Sequence, residues 1–299
     1  AMMRGEIYAI FHIPEGMTEE AVSGRQPHVA LYTNETYFVP SALLMKDMRM
    51  AAEILGISIT RESLAGRGLT NDRVMGIVQP IVIEKHALGN PYLNYSVYLC
   101  NIILPGILFL LTMLLTCYVI GEEWKMGRQR QTYQMMGYSQ TSVLIAKTLP
   151  ITVIYSLIIL FIDVWLYKYL EFPCKSGLLP MLVYGVMGVM ASQGLAIFVF
   201  GLFLGQMRFS MSICSLWGVL SFSLSGFTFP VSAMHPVLQY ACNLFPLRHY
   251  YLIYCNQALN GYSIAYVWVH VVALLCFMLL PFVVMKRYRK GFLLIKYKP

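Results

Sequence analysis

Residues 98–120 read YLCNIILPGILFLLTMLLTCYVI, an apolar run that contains no charged side chain. An α-helix needs about 20 mainly apolar residues to cross the ~30 Å of hydrocarbon in a membrane. The sequence contains four further segments of this kind, at 148–168, 178–205, 209–230 and 264–285. It therefore predicts an α-helical integral membrane protein with a transmembrane domain at 98–299 that crosses the membrane five times.

The composition agrees with this prediction. Hydrophobic residues make up 58% of the 299 residues and charged residues only 12%, and the mean hydropathy is +0.62. A soluble domain usually carries about 25% charged residues. The composition therefore excludes a purely soluble globule and a disordered chain.

Between the last two spans lies the segment 231–263, which is apolar but is interrupted by Pro236 and Pro246. We expect short helices that dip into the outer leaflet instead of a continuous span. Backbone that leaves the helical conformation at membrane depth must be covered by protein or line a water-filled cavity. The segment is therefore predicted to be a broken, re-entrant region.

Residues 1–97 have a different pattern, in which short apolar runs alternate with turn residues. They predict a small α+β domain of about 100 residues, a size that can hold its own core. The predicted strands are Glu6–Ile13, Pro27–Tyr32 and Val74–Ile83, and the predicted helices are Glu15–Val22 and Ser41–Leu55, the second ended by Gly56.

The distribution of charge gives an orientation. Of the net charge of +8, residues 1–97 contribute −2 and the remainder +10. Basic residues cluster in the tail 286–298, in the loop after the first span and at Arg208, as expected for cytoplasmic segments. The C-terminus is then cytoplasmic and residues 1–97 lie outside. Because the basic residues flank apolar spans, a nucleic acid is not an expected partner.

This topology requires export of the N-terminal domain, and no apolar segment precedes that domain in the given sequence. Residues 1–4 (AMMR) do not form a signal peptide. We therefore expect a further transmembrane helix before residue 1 in the full-length protein.

The sequence contains no motif that predicts catalysis. A P-loop, an H-E-x-x-H and a G-x-S-x-G pattern are all missing, and the six histidines are widely spaced. The chain is therefore predicted to have no ATPase site, no resident metal and no enzymatic activity of its own. The seven cysteines fit small buried hydrophobic residues better than a disulfide among Cys174, Cys242 and Cys255.

Three features of the spans are candidates for function. Asp163 is an ionisable residue inside the second span, and we expect it either to pair with Arg248 or to face water near the outer end. Gly201 and Gly205 form a G-x-x-x-G pattern, which indicates close helix packing. The loop from Gly121 to Arg128 suits an amphipathic helix at the membrane interface, although an ordinary solvated loop is the alternative.

The sequence around several of these residues resembles that of a known family, the membrane subunits of ABC-2-type ABC transporters. In that family the span after the external domain is followed by a pattern similar to E-x-E-x-G-T and then by a lysine. Glu123, Gly127 and Lys147 match these places, whereas Lys125 and Arg128 depart from the pattern. Upstream, the family's Asn-Pro and Pro-Gly elements are matched at 90–91 and 105–106.

The most specific resemblance lies in Ser225-Gly226-Phe227-Thr228-Phe229-Pro230 and the Pro, Pro-Leu-x-x-Tyr and Gly elements that follow it. The resemblance extends over essentially the whole chain. It implies an outer re-entrant cap formed by Gly226, Pro230, Pro236, Pro246, Arg248 and Tyr250. This cap either closes a translocation route or is a structural plug.

The resemblance implies a permease subunit of an exporter in the bacterial inner membrane. A separate ATPase subunit would bind ATP and dock on the loop at 122–136, and a second permease subunit would complete the transporter. The implied docking residues are Glu122, Glu123, Lys125, Gly127 and Arg128. The external domain could bind cargo, a periplasmic adaptor or its twin.

The aromatic-rich spans favour an amphipathic, lipid-like or drug-like cargo. The alternative is a membrane scaffold or signal transmitter whose external domain binds a partner. A polar lateral cavity between two subunits would favour the exporter, and solidly packed helices would favour the transmitter.

Overall fold

The computed structural model describes residues 9–12, 14–16, 30–33, 38–65, 94–229 and 231–297. The chain divides into two compact units, residues 1–85 and 86–299, which we describe separately.

In the first unit, strand β1 (Ala9–His12) pairs antiparallel with β2 (Ala30–Thr33), with Ala9 opposite Thr33. Helix α1 (Phe38–Ala65) is longer than predicted in both directions and continues through Gly56. A glycine inside a helix costs only about 1 kcal/mol relative to alanine, which is too little to end a long helix. The other elements predicted for residues 1–97 lie outside the described residues, apart from a turn at 15–16, and the α+β extracytoplasmic domain stays a prediction.

In the second unit, five helices are long and apolar enough to cross a membrane, as the sequence predicts. In chain order these five helices are α2 (Tyr95–Lys125), α4 (Gln140–Val164), α5 (Leu178–Leu202), α6 (Met207–Leu224) and α9 (Trp268–Leu294). The short helix α3 (Gln129–Met135) lies between α2 and α4, and two more short helices lie between α6 and α9. A π-helical turn at Trp165–Tyr169 extends α4.

The ends of these helices differ from the predicted spans. Helix α4 begins at Gln140 instead of 148, because Ser139 caps its first turn and the polar residues that follow continue the helix. Helix α5 ends at Leu202, and α6 ends at Leu224 instead of 230. Hydropathy reports where a helix is apolar, whereas its ends are set by capping and turn residues.

The region predicted to be broken consists of short pieces. It contains helix α7 (Pro236–Ala241) and helix α8 (Pro246–Tyr254), each of which begins at a proline. Proline suits the first position of a helix because its missing N–H has no partner there in any case. Short 3₁₀ or π turns complete the segment at Val231–Ala233, Cys242–Leu244 and Cys255–Leu259. A further 3₁₀ turn at Ile264–Tyr266 precedes α9, which therefore begins at Trp268 instead of 264.

Helix α5 is the most buried of the five long helices and packs against α2, α4 and α9. Its contact with α9 is close, because a Cβ on Gly194 would collide with the Phe277 carbonyl oxygen and lie 3.0 Å from the Met278 Cα. A Cβ on Gly201 would collide with the Val284 side chain of α9. Gly205 lies in the turn after α5 with a φ of +82° and not inside the helix, but it also packs closely, because a Cβ there would lie 2.7 Å from the Lys296 carbonyl oxygen.

Two polar contacts join the long helices in their interior. Gln193 on α5 donates to the Thr148 carbonyl at 3.0 Å and accepts from the Thr152 hydroxyl at 2.6 Å, which links α5 to α4. The sulfurs of Cys117 on α2 and Cys214 on α6 lie 3.4 Å apart, and both cysteines are fully buried. All seven cysteines are free thiols.

Candidate functional site

The connection between α2 and α4 contains the predicted docking residues. Helix α2 continues through Glu122 and Glu123 and ends at Lys125. The chain then turns at Gly127, whose φ of +70° is a conformation that glycine adopts without strain, and enters α3. The residues predicted to form a separate interfacial helix are therefore the last turn of α2, and α3 is the short helix that follows them.

Glu123 is buried and joins three helices. Its carboxylate forms an ion pair with Lys147 on α4. Its other oxygen accepts a hydrogen bond from the Thr132 hydroxyl on α3 at 2.7 Å. The side chain of Glu123 is only 7% exposed. It therefore positions α3 through internal contacts and is not accessible to a partner protein.

An aromatic cluster also holds α3 against the long helices. Tyr133 stacks on Phe292 of α9 with 5.1 Å between the ring centroids and 6° between the planes. Phe292 also lies 4.8 Å from the ring of Trp124. Trp124 in turn contacts Phe200 of α5 and Tyr288 of α9. The short helix is therefore connected through side chains to α2, α4 and α9, and through Trp124 to α5.

The remaining face of the connection is exposed, and we call it the α3 surface. It combines cationic with apolar side chains and consists of Lys125, Met126, Arg128, Arg130, Met135, Met136 and Tyr138. Met135 is 73% exposed although it is apolar. A surface of this composition is typical of a protein-binding site, in which methionine and arginine are enriched.

The structure divides the predicted docking residues between these two environments. Lys125, Gly127 and Arg128 lie on or beside the α3 surface, Glu122 is half-buried, and Glu123 is internal. Sequence reasoning missed the exposed methionines and the role of Tyr133. Helical spacing gives no signal here, because Tyr133 and Met136 are three positions apart and would share a face, yet Tyr133 is buried and Met136 is exposed.

The cap segment (residues 225–229 and 231–263) lies at the other end of the bundle, where its helix α8 packs against α2, α5, α6 and α9. Gly226 has a φ of +97°, and the Arg248 guanidinium donates to the Ser225 carbonyl at 3.1 Å. That carbonyl lies at the end of α6, where intrahelical partners run out. Arg248 therefore serves as a cap for α6, with a second contact to the Asn243 side chain at 3.4 Å.

Helix α8 is the buried part of the cap segment. Tyr250 is 1% exposed and packs edge-on against Phe109 of α2 with 5.5 Å between the centroids. Tyr254 donates to the Val97 carbonyl at 3.1 Å, and Tyr98 donates to the Phe227 carbonyl. Pro236 and Pro246 begin α7 and α8, whereas Pro230 lies outside the described residues.

A pair of histidines joins α8 to α9. His249 Nε2 lies 2.9 Å from the Asn243 carbonyl, so this nitrogen carries the hydrogen. In neutral His249 the Nδ1 atom is then an acceptor, and it lies 3.2 Å from His270 Nδ1. Burial lowers the pKa of His249, the Asn243 carbonyl opposes this shift, and nearby Arg248 adds to it.

This arrangement predicts sensitivity to acid. The pKa of His249 is lower in the folded chain than in the unfolded chain, so the unfolded chain binds a proton at a higher pH. The folded state therefore loses stability as the pH falls through about 6.5. The ratio of folded to unfolded protein should fall by up to about tenfold per pH unit there. A thermal unfolding series in detergent would show the loss. His249→Gln should reduce this slope, and the neighbouring His270 on α9 remains. The same substitution of an exposed histidine, His12→Gln on β1, is the control.

Asp163 does not pair with Arg248. Its side chain is 1% exposed, and neither of its oxygens has a hydrogen-bond partner among the residues that the structure describes. The alternative expectation, a carboxylate facing water, also disagrees with this burial. The Arg248 guanidinium group instead binds the Ser225 carbonyl and the Asn243 side chain.

Comparison with known proteins gives the class of the chain. A family model described as "ABC-2 family transporter protein" matches residues 1–285. The chain belongs to this family. No curated protein and no solved structure matches it. The five apolar helices of this ABC-2 family protein fit a multi-pass membrane protein, and its family is a membrane component of transport systems.

Proposed function

We propose that this ABC-2 family protein is the permease subunit of an ATP-driven exporter and that a separate ATPase subunit docks on the α3 surface. The observation that supports this proposal is that the two faces of α3 have different environments. One face is exposed, cationic and apolar, and the other is held by buried contacts to the long helices.

The α3 surface defines the chemistry of its partner. Lys125, Arg128 and Arg130 favour an acidic rim, and the exposed methionines favour an apolar groove. Methionine adapts to irregular grooves because its side chain is unbranched and polarizable. We therefore expect the ATPase subunit to present an apolar cleft with carboxylates at its edge.

A push on α3 would reach the spans through identified contacts. The carboxylate of Glu123 ties α2 to Lys147 of α4, and the ring of Phe292 ties α3 to α9. Packed cores respond to such displacements by switching between discrete arrangements. Closure of the ATPase subunits would in this way tilt the long helices and open a route toward the cap segment.

A second copy of the chain is the proposed partner within the membrane, and α6 is the proposed contact. Its exposed face carries the hydroxyls of Ser212 and Ser223 beside Leu216 and Val219. Exposed positions of α4, in contrast, are apolar along the span. Small and hydroxyl side chains favour helix contacts over lipid.

The remaining parts of the proposal follow the charge pattern and the family. The C-terminus would lie in the cytoplasm, residues 1–97 outside and the spans in a bacterial inner membrane. The cargo would be amphipathic or lipid-like. A periplasmic adaptor would be a partner of residues 1–97.

Met135→Asp tests the docking proposal. It places a negative charge in the centre of the α3 surface, where the expected partner is itself acidic, and should weaken ATPase binding by roughly tenfold or more. The measurement is binding of the ATPase subunit and transport-coupled ATP hydrolysis in the assembled complex. Met135→Leu, which keeps the surface apolar, is the matched control. Unchanged binding and coupling in Met135→Asp would reject docking here and favour the scaffold.

A further inference from the structure

Asp163 has surroundings that neither docking nor cargo movement explains. It lies on α4, near its end at the cap segment, against the bare backbone of Gly185 on α5. A Cβ on Gly185 would lie 2.7 Å from Asp163 Oδ2, so the carboxyl group fits only because this position is glycine. The hydroxyl of Tyr167, one turn further along, is also buried without a partner among the described residues.

Among the described residues, the titratable groups near Asp163 are weak acids. They are Tyr167 from the turn that extends α4, Tyr250 from α8 and the thiol of Cys174 from the following loop. The basic residues nearest in sequence, Lys168 and Lys175, are exposed. Within the ranges that the structure describes, no cation compensates a charge on Asp163.

An ionised carboxylate in this environment would be strongly unfavourable, because a buried charge needs a counter-charge or several hydrogen bonds. A neutral carboxyl group avoids this cost. We propose that Asp163 is a proton-binding site, which holds its proton in this conformation and releases it when α4 separates from α5 and α8.

The release step is a simple proton transfer. The O–H bond of the carboxyl group breaks, water accepts the proton, and the carboxylate that remains is hydrated by the water that enters between the helices. Any motion that opens the cap segment away from α4 would therefore be accompanied by the release of one proton. This inference depends on the burial of Asp163 and holds whether or not an ATPase subunit docks on the α3 surface.

The test compares the full chain with Asp163→Asn in detergent micelles, using denaturant unfolding between about pH 5 and pH 8. Asparagine has nearly the shape of the neutral acid but binds no proton. If the folded chain holds the proton and the unfolded chain loses it, the wild-type ratio of folded to unfolded protein falls relative to the variant as the pH rises, by up to about tenfold per pH unit. Titration of His249 is common to both proteins and cancels in the comparison. Glu171→Gln, an exposed acid beyond the same helix, should give the wild-type slope.

Infrared spectroscopy gives an independent measurement. The wild-type chain near neutral pH should show the carbonyl stretch of a protonated carboxylic acid, and this band should be lost in Asp163→Asn and kept in Glu171→Gln. If Asp163→Asn does not fold, Asp163→Glu should keep a band at a shifted position. A variant that is less stable than wild type by the same factor at every pH, or a wild-type spectrum without the band, would overturn the proposal and show an ionised Asp163.

Discussion

Glu123→Ala should destabilise the chain by about 3 kcal/mol. The substitution removes the carboxylate that Lys147 and Thr132 share and leaves the Lys147 ammonium without its counter-charge. Lys147 is 30% exposed, and water can therefore recover part of the loss, which places the effect at the lower end for buried pairs. Denaturant unfolding of the full chain in micelles measures the change.

The neighbouring residue supplies a matched control. Glu122 has the same charge and lies in the same helical turn but is half-buried, and Glu122→Ala should change stability by less than about 1 kcal/mol. A double variant, Glu123→Gln with Lys147→Met, should recover much of the loss because neither charge then remains unpaired. Equal losses of stability in Glu123→Ala and Glu122→Ala would contradict the conclusion that buried contacts of Glu123 join α2, α3 and α4.

The second large effect is expected at the contact between α5 and α9. Gly194→Ala would press a methyl group onto the Phe277 carbonyl and the Met278 Cα, which are backbone atoms that cannot rotate away. Overpacking of this kind costs about 1–3 kcal/mol, and a rigid neighbour places it toward the upper end. The readouts are the unfolding free energy and the yield of monodisperse protein.

A glycine without neighbours provides the comparison for Gly194→Ala. Nothing lies within 4 Å of a Cβ built on Gly56, in the interior of α1. Gly56→Ala should therefore be neutral or should stabilise α1 by up to about 1 kcal/mol through helix propensity. If Gly194→Ala were as well tolerated as Gly56→Ala, the close approach of α5 and α9 would be wrong.

The sequence alone predicts the five long helices, because each needs a run of apolar residues that hydropathy detects directly. It also predicts that the region around Pro236 and Pro246 consists of short pieces. Proline alone does not decide this, because Pro105, Pro150 and Pro281 lie inside continuous long helices. It does not predict the helix ends. Helix α4 begins eight residues before the predicted span, because Ser139 caps its first turn and the chain stays helical through Lys147.

Pairing between distant residues is the part of the site that sequence reasoning could not supply. Glu123 and Lys147 are 24 positions apart, and their contact depends on how the turn after α2 folds α4 back. The same limitation produced the wrong pairing of Asp163 with Arg248. Hydropathy places both near one end of the bundle, but the Ser225 carbonyl at the end of α6 satisfies the arginine instead.

The two touching thiols of Cys117 and Cys214 provide a built-in reporter of movement between α2 and α6. Because both thiols are fully buried, a water-soluble thiol reagent would reach them only when α2 and α6 part. If export requires these helices to part, labelling of the two thiols should be faster during transport than at rest. The native cysteines can therefore be used to measure the timing of helix separation.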